Sequence, residues 1–72
     1  MADEKLTQRI LELTADIVMT AMDIGRLDAG NAEAVGEYFY TVALRMYEAS
    51  EIDDQALAVY HVERRKVKTQ NQ

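Results

Sequence analysis

Residues 22–40 read MDIGRLDAGNAEAVGEYFY, and within them Gly25 and Gly30 stand at the Gly-x-x-x-x-Gly spacing that opens a phosphate-binding loop. Such a loop follows a strand and continues Gly-Lys-Ser/Thr, with the lysine ammonium on phosphate and the hydroxyl on magnesium. Here Gly30 is followed by Asn31 and Ala32, and Asp28 would set negative charge where phosphates should sit. The residues on both sides carry helical spacing. The stretch therefore reads as a corner: Gly25 is the left-handed residue that ends one helix, and Gly30-Asn31 caps the next. That reading makes the flanking segments the two arms of a helical hairpin.

Before the corner, Leu6, Ile10, Leu13, Ile17 and Ile24 fall within one arc at 100° per residue, with Asp3 as N-cap. Lys5, Arg9, Glu12, Asp16 and Asp23 take the opposite side, as an amphipathic helix requires. Leu11, Val18 and Met22 form a second apolar strip, rotated about 120–160° from the first. After the corner, Val35, Phe39, Val42 and Met46 form the main stripe, with Glu33 favourably placed in the first turn. Ala32, Gly36 and Ala43 lie beside it, and Tyr40 and Tyr47 lie beyond. A glycine inside a helix costs about 1 kcal/mol relative to alanine, so Gly36 is expected to allow a close backbone approach.

A third helix follows ASEID, with Ser50 or Asp53 as its cap and Asp54 in its first turn. Ala56, Leu57, Val59, Tyr60 and Val62 surround its first half and are expected to be buried. The second half is charged, and order is expected to fade near residue 66. The chain thus reads as one all-α domain over residues 1–72: an antiparallel hairpin plus a short third helix, a three-helix bundle. The helices are expected near 4–24, 32–49 and 54–66, with a frayed basic tail at 67–72.

Seventy-two residues leave room for one small core, which buries only about 60% of the surface the unfolded chain exposes. The absence of cysteine excludes disulfides and thiolate metal sites. No apolar run approaches the roughly 20 residues that span a bilayer, and Met1-Ala2-Asp3-Glu4-Lys5 lacks the basic-then-apolar start of a signal peptide. A cytoplasmic protein without membrane contact is the expectation. Of the net charge of −5, an acidic body over residues 1–62 carries an excess of acids, while residues 63–72 set Glu63 against Arg64, Arg65, Lys66 and Lys68. An acidic body opposes broad binding to a phosphate backbone; the basic end, Arg64, Arg65 and Lys66, reads either as a solvated helix end or as a docking tail.

No catalytic, cofactor-binding or metal site is expected. His61 is the only histidine and has no glutamate three residues before it. Ser50 is the only serine and stands in no triad or elbow pattern. The acids do not recur at the alternating positions of a calcium loop. ELTADIV (Glu12 to Val18) resembles a segment of the Ros/MucR bacterial regulators, whose zinc-finger ligands this chain lacks. DDQALAVYH (Asp53 to His61) is similar to a segment of the Hha type of nucleoid-associated modulators, small helical proteins that act through a partner; there the segment is followed by more helix. Neither short match assigns a family.

The residues favour a small acidic interaction module, a regulator, inhibitor or chaperone-like adaptor acting through apolar helix faces. The alternative is a helix-turn-helix DNA-binding regulator that inserts residues 54–68 into the major groove. Against it, that helix opens on Asp53-Asp54-Gln55-Ala56 and its positive charge comes late. Apolar surface beyond one stripe per helix predicts self-association as a homodimer, with Val18, Met22, Gly36, Tyr40, Ala43 and Tyr47 at the contact, or docking to another protein.

Overall fold

The structure, a computed structural model, describes residues 4–53 and 55–69, the side chains of 52 and 53 excepted. The expected Asp3 cap, the first-turn role of Asp54 and the polar end at 70–72 lie outside the described residues. Three helices pack against one another: α1 (Glu4–Asp23), α2 (Ala32–Asp53) and α3 (Ala56–Thr69). The body is flat, with principal extents of 37 × 24 × 14 Å.

The corner between α1 and α2 is built as its residues dictate. Gly25 takes φ +80°, a conformation in which a side chain is strained. Its N–H donates to the Met22 carbonyl at 3.1 Å and the Arg26 N–H donates to the Ala21 carbonyl at 2.9 Å, the paired bonds of a Schellman ending. At the other side, the Asp28 carboxylate accepts the Gly30 N–H at 2.9 Å. Asn31 then caps α2: its side-chain oxygen accepts the Ala34 N–H at 3.1 Å, and its carbonyl accepts the Val35 N–H at 3.0 Å. Glu33 sits in the first turn.

The second connection departs from expectation. Helix α2 runs through ASEID to Asp53, a stretch that holds no glycine or proline to end it. Ser50 is therefore inside α2, where its hydroxyl donates to the Tyr47 carbonyl at 2.7 Å, and does not cap α3. Gln55 takes the position before α3: its N–H donates back to the Ala49 carbonyl and its own carbonyl accepts the Val59 N–H.

The core joins Ile10, Ile17 and Ala21 of α1, Val42 and Met46 of α2, and Ala56 and Val67 of α3. Thr14 is fully buried among them, its hydroxyl satisfied by the Ile10 carbonyl at 2.7 Å. Two expectations about the stripes need correction. On α2, Val42 and Met46 are buried, but Val35 and Phe39 are only half-buried, and Tyr38 and Ala43 are the partly buried residues packed on the core. Helix α2 contacts both α1 and α3, so its inward arc turns away from the one a two-helix hairpin would use. On α3, Leu57 and Val62 are exposed, whereas Ala56, Glu63 and Val67 form the buried face. A helix lying on one side of two others buries one arc, and the spacing of seven and four residues sets these three in line. Val67 is buried and α3 continues to Thr69, so the described part of the expected frayed tail is ordered helix that completes the core.

Candidate functional site

The apolar surplus lies on α1 and α2. Thr7, Ile10 and Leu11 line an open cleft with Tyr40, Ala43, Leu44 and Tyr47, which places the start of α1 beside the second half of α2 and makes the pair antiparallel. Leu11, Tyr40 and Ala43 also border the adjoining open face of Ala32, Val35, Gly36 and Phe39, so the two clefts form one continuous surface. Its large side chains are unusually wet: Tyr40 is 68% exposed, Leu11 46%, Leu44 39% and Tyr47 37%. A Cβ built on Gly36 would meet no heavy atom within 4 Å. The close backbone approach expected at this glycine does not occur within the chain.

Four residues read from the sequence as interface, Gly36, Tyr40, Ala43 and Tyr47, share this surface. Met22 is half-buried and does not line it. Val18, at 3% exposure, offers no surface to a partner. It lies toward the closed end of the hairpin, whereas Leu11, two turns earlier on nearly the same line, lies toward the open end and stays exposed. Met19, which the sequence reading passed over, is exposed on α1.

The basic end of α3 carries ion pairs while its side chains stay partly exposed. The buried Glu63 carboxylate accepts a hydrogen bond from the Arg45 guanidinium at 3.0 Å, and the Lys66 ammonium lies 3.7 Å from the same oxygen. Arg64 reaches α1, its Nε 3.3 Å from Asp16 Oδ2, and the Tyr60 hydroxyl donates to that same carboxylate. Arg65 is exposed. The Arg45–Glu63 and Tyr60–Asp16 hydrogen bonds tie α3 to both other helices, while Arg64 meets Asp16 by charge alone, its buried Nε making no hydrogen bond, and Lys66 pairs with Glu63 within α3.

Two phenols are shifted. The hydrogen bond to Asp16 holds the Tyr60 hydroxyl above its ordinary pKa, reinforced by burial and by the Asp16 charge, with Arg64 opposing. Burial raises Tyr38, reinforced by the Glu63 charge and opposed by Arg26 and Arg45. No local sequence signal could have found these clusters, since Asp16 and Tyr60 are 44 residues apart and Arg45 and Glu63 are 18 apart. Glu63 was legible in principle, through its seven-residue spacing from Ala56.

Among the described residues, no group of three or more His, Cys, Asp or Glu could hold a metal ion, and no helix is long and apolar enough to cross a membrane. A cavity of about 120 Å³ lies beneath the corner, lined by Ala21, Arg26, Leu27, Tyr38 and Val67, well below the roughly 300–1,000 Å³ of small-molecule sites. No protein-family profile matches the chain, and neither a curated protein nor a solved structure matches it.

Proposed function

We propose that this chain is a small acidic helical interaction module, a regulator, inhibitor or adaptor, that works in the cytoplasm by presenting the α1/α2 apolar face to protein. One observation carries the reading: Leu11, Tyr40, Leu44 and Tyr47 remain substantially exposed together on one continuous surface. Exposed apolar residues scattered singly need no explanation, whereas large apolar side chains exposed side by side on one continuous surface favour a contact. Tyrosine suits such a contact, with its ring covered and its hydroxyl at the rim. The reading requires no catalytic group and no cofactor. Major-groove insertion of α3 draws less support, because Arg64 is turned to Asp16 and Lys66 to Glu63.

The test is site-specific photo-crosslinking in the native cell. A photoreactive residue at Leu44 should give protein adducts, and one at His61, an exposed position on α3, should give few. Absence of protein adducts from Leu44 would refute the proposal. Duplex DNA bound in a steeply salt-weakened manner would replace it with the groove-binding reading.

A further inference from the structure

We infer that the occupant of this face is a second copy of the chain, docked with α2 antiparallel to its counterpart across a twofold axis. The inference rests on the reading of the face as a protein-docking surface. Gly36, Tyr40, Ala43 and Tyr47 follow one another at intervals of four, three and four residues, the spacing of a coiled-coil seam. Their sizes alternate: small, large, small, large. A parallel pair would set tyrosine on tyrosine and leave a gap between glycines. One antiparallel register does the opposite, since setting Gly36 against the partner's Tyr47 also sets Tyr40 against the partner's Ala43. Each ring then enters a hole left by a small residue, and the twofold repeats both contacts.

The protomer itself makes no use of the hole. Gly36 weakens α2, yet the space beside it is open. Area permits a second copy if the whole face is covered. Scaling the exposed fractions of the two tyrosines and two leucines by ordinary side-chain areas, and adding their half-buried neighbours, gives roughly 500 Å² per protomer, so about 1,000 Å² in all, the lower bound for a specific interface.

Charge opposes the pairing and so supplies a signature. The acids of α2 are Glu33, Glu37, Glu48, Glu51 and Asp53, and its one base, Arg45, is engaged by Glu63. Two such helices repel, and salt screens that repulsion. The dimer therefore tightens as salt rises, opposite to a complex held by phosphate contacts.

Sedimentation equilibrium on the full chain at tens of micromolar tests this. The wild type should show twice the 8.2 kDa monomer mass, more completely at high salt. Gly36→Leu, whose side chain enters open space in the protomer, should keep its helical circular dichroism and weaken the dimer at least about 100-fold, because it fills the hole that the partner's Tyr47 needs. Should that variant lose helicity, Tyr47→Ala removes the ring instead and is expected to weaken the dimer similarly. For orientation, Gly36→Cys alone should form no intermolecular disulfide, but should form one when mixed with Tyr47→Cys; rapid self-linking of Gly36→Cys would overturn the antiparallel arrangement. A wild type at 8.2 kDa, or a dimer indifferent to Gly36→Leu and Tyr47→Ala, overturns the inference. A monomer that still yields adducts to another protein from Leu44 overturns only the self-pairing, whereas a monomer without adducts overturns the docking reading as well.

Discussion

Removing Arg45 is the perturbation that most directly tests how α3 is held. Glu63 carries a side chain only 9% exposed, and its carboxylate is met by Arg45 at 3.0 Å and by Lys66 at 3.7 Å. At an effective dielectric of about 20, unit charges 3 Å apart attract by roughly 5 kcal/mol before desolvation is charged against them. Arg45 is 53% exposed and Lys66 58%, so solvent screens much of that attraction. Losing one partner of a fully buried pair costs about 3–5 kcal/mol; with this much solvent, Arg45→Met, which keeps the aliphatic packing, should cost about 1–2 kcal/mol. In a domain of this size that lowers Tm by roughly 4–16 °C. A double-mutant cycle with Glu63→Gln, followed by thermal and urea unfolding at a protein concentration where the oligomeric state is constant, isolates the pair and should return a coupling of about 1 kcal/mol. A coupling indistinguishable from zero, with Arg45→Met unchanged in Tm, would refute the reasoning, since Glu63 would then be solvated and α3 would not pack this face on α2.

Other substitutions probe the remaining joints. Gly25→Ala forces a Cβ into φ +80° and should lower stability by about 1–2 kcal/mol, while Gly25→Asn should cost clearly less; equal losses in urea unfolding would contradict the Schellman ending. Val67→Ala should cost about 1–2 kcal/mol by thermal unfolding because Val67 is core, and a Tm equal to that of the wild type would return residues 67–69 to a frayed tail. Raised phenol pKa values in the folded state mean that the stability they contribute is full below pH 10, the unfolded value, and is lost as pH rises through the folded value. Ultraviolet titration should accordingly show two late-ionising tyrosines, of which one is lost in Tyr60→Phe and the other, Tyr38, remains; an unchanged curve would remove the Tyr60 to Asp16 bond. Asn31→Ala should lower stability by about 1 kcal/mol through loss of the cap to Ala34, measured by the same unfolding experiment.

The corner, the Asn31 cap and the presence of three helices were legible in the chain because each rests on residues near one another in sequence. Gly25 needs φ > 0, Asn31 lies three residues before the N–H it caps, and the spacing of Ile10, Ile17, Val42 and Met46 marks inward faces whatever they meet. The apolar surface shared by Gly36, Tyr40, Ala43 and Tyr47 was visible as apolar residues beyond the main stripe of α2. Tertiary packing decided what periodicity leaves open: which of two apolar arcs turns inward. Val18 and Leu11 are seven residues apart and nearly in line, yet one is enclosed and the other is wet, because enclosure depends on the neighbouring helices and not on the helix that carries the residue. The same holds for charge. Residues 63–68 read as a basic end, but α2 and α1 bring Arg45 to Glu63 and Asp16 to Arg64, and the tail becomes the fastening of α3, since ion pairs form between groups that the fold makes neighbours and the sequence keeps far apart.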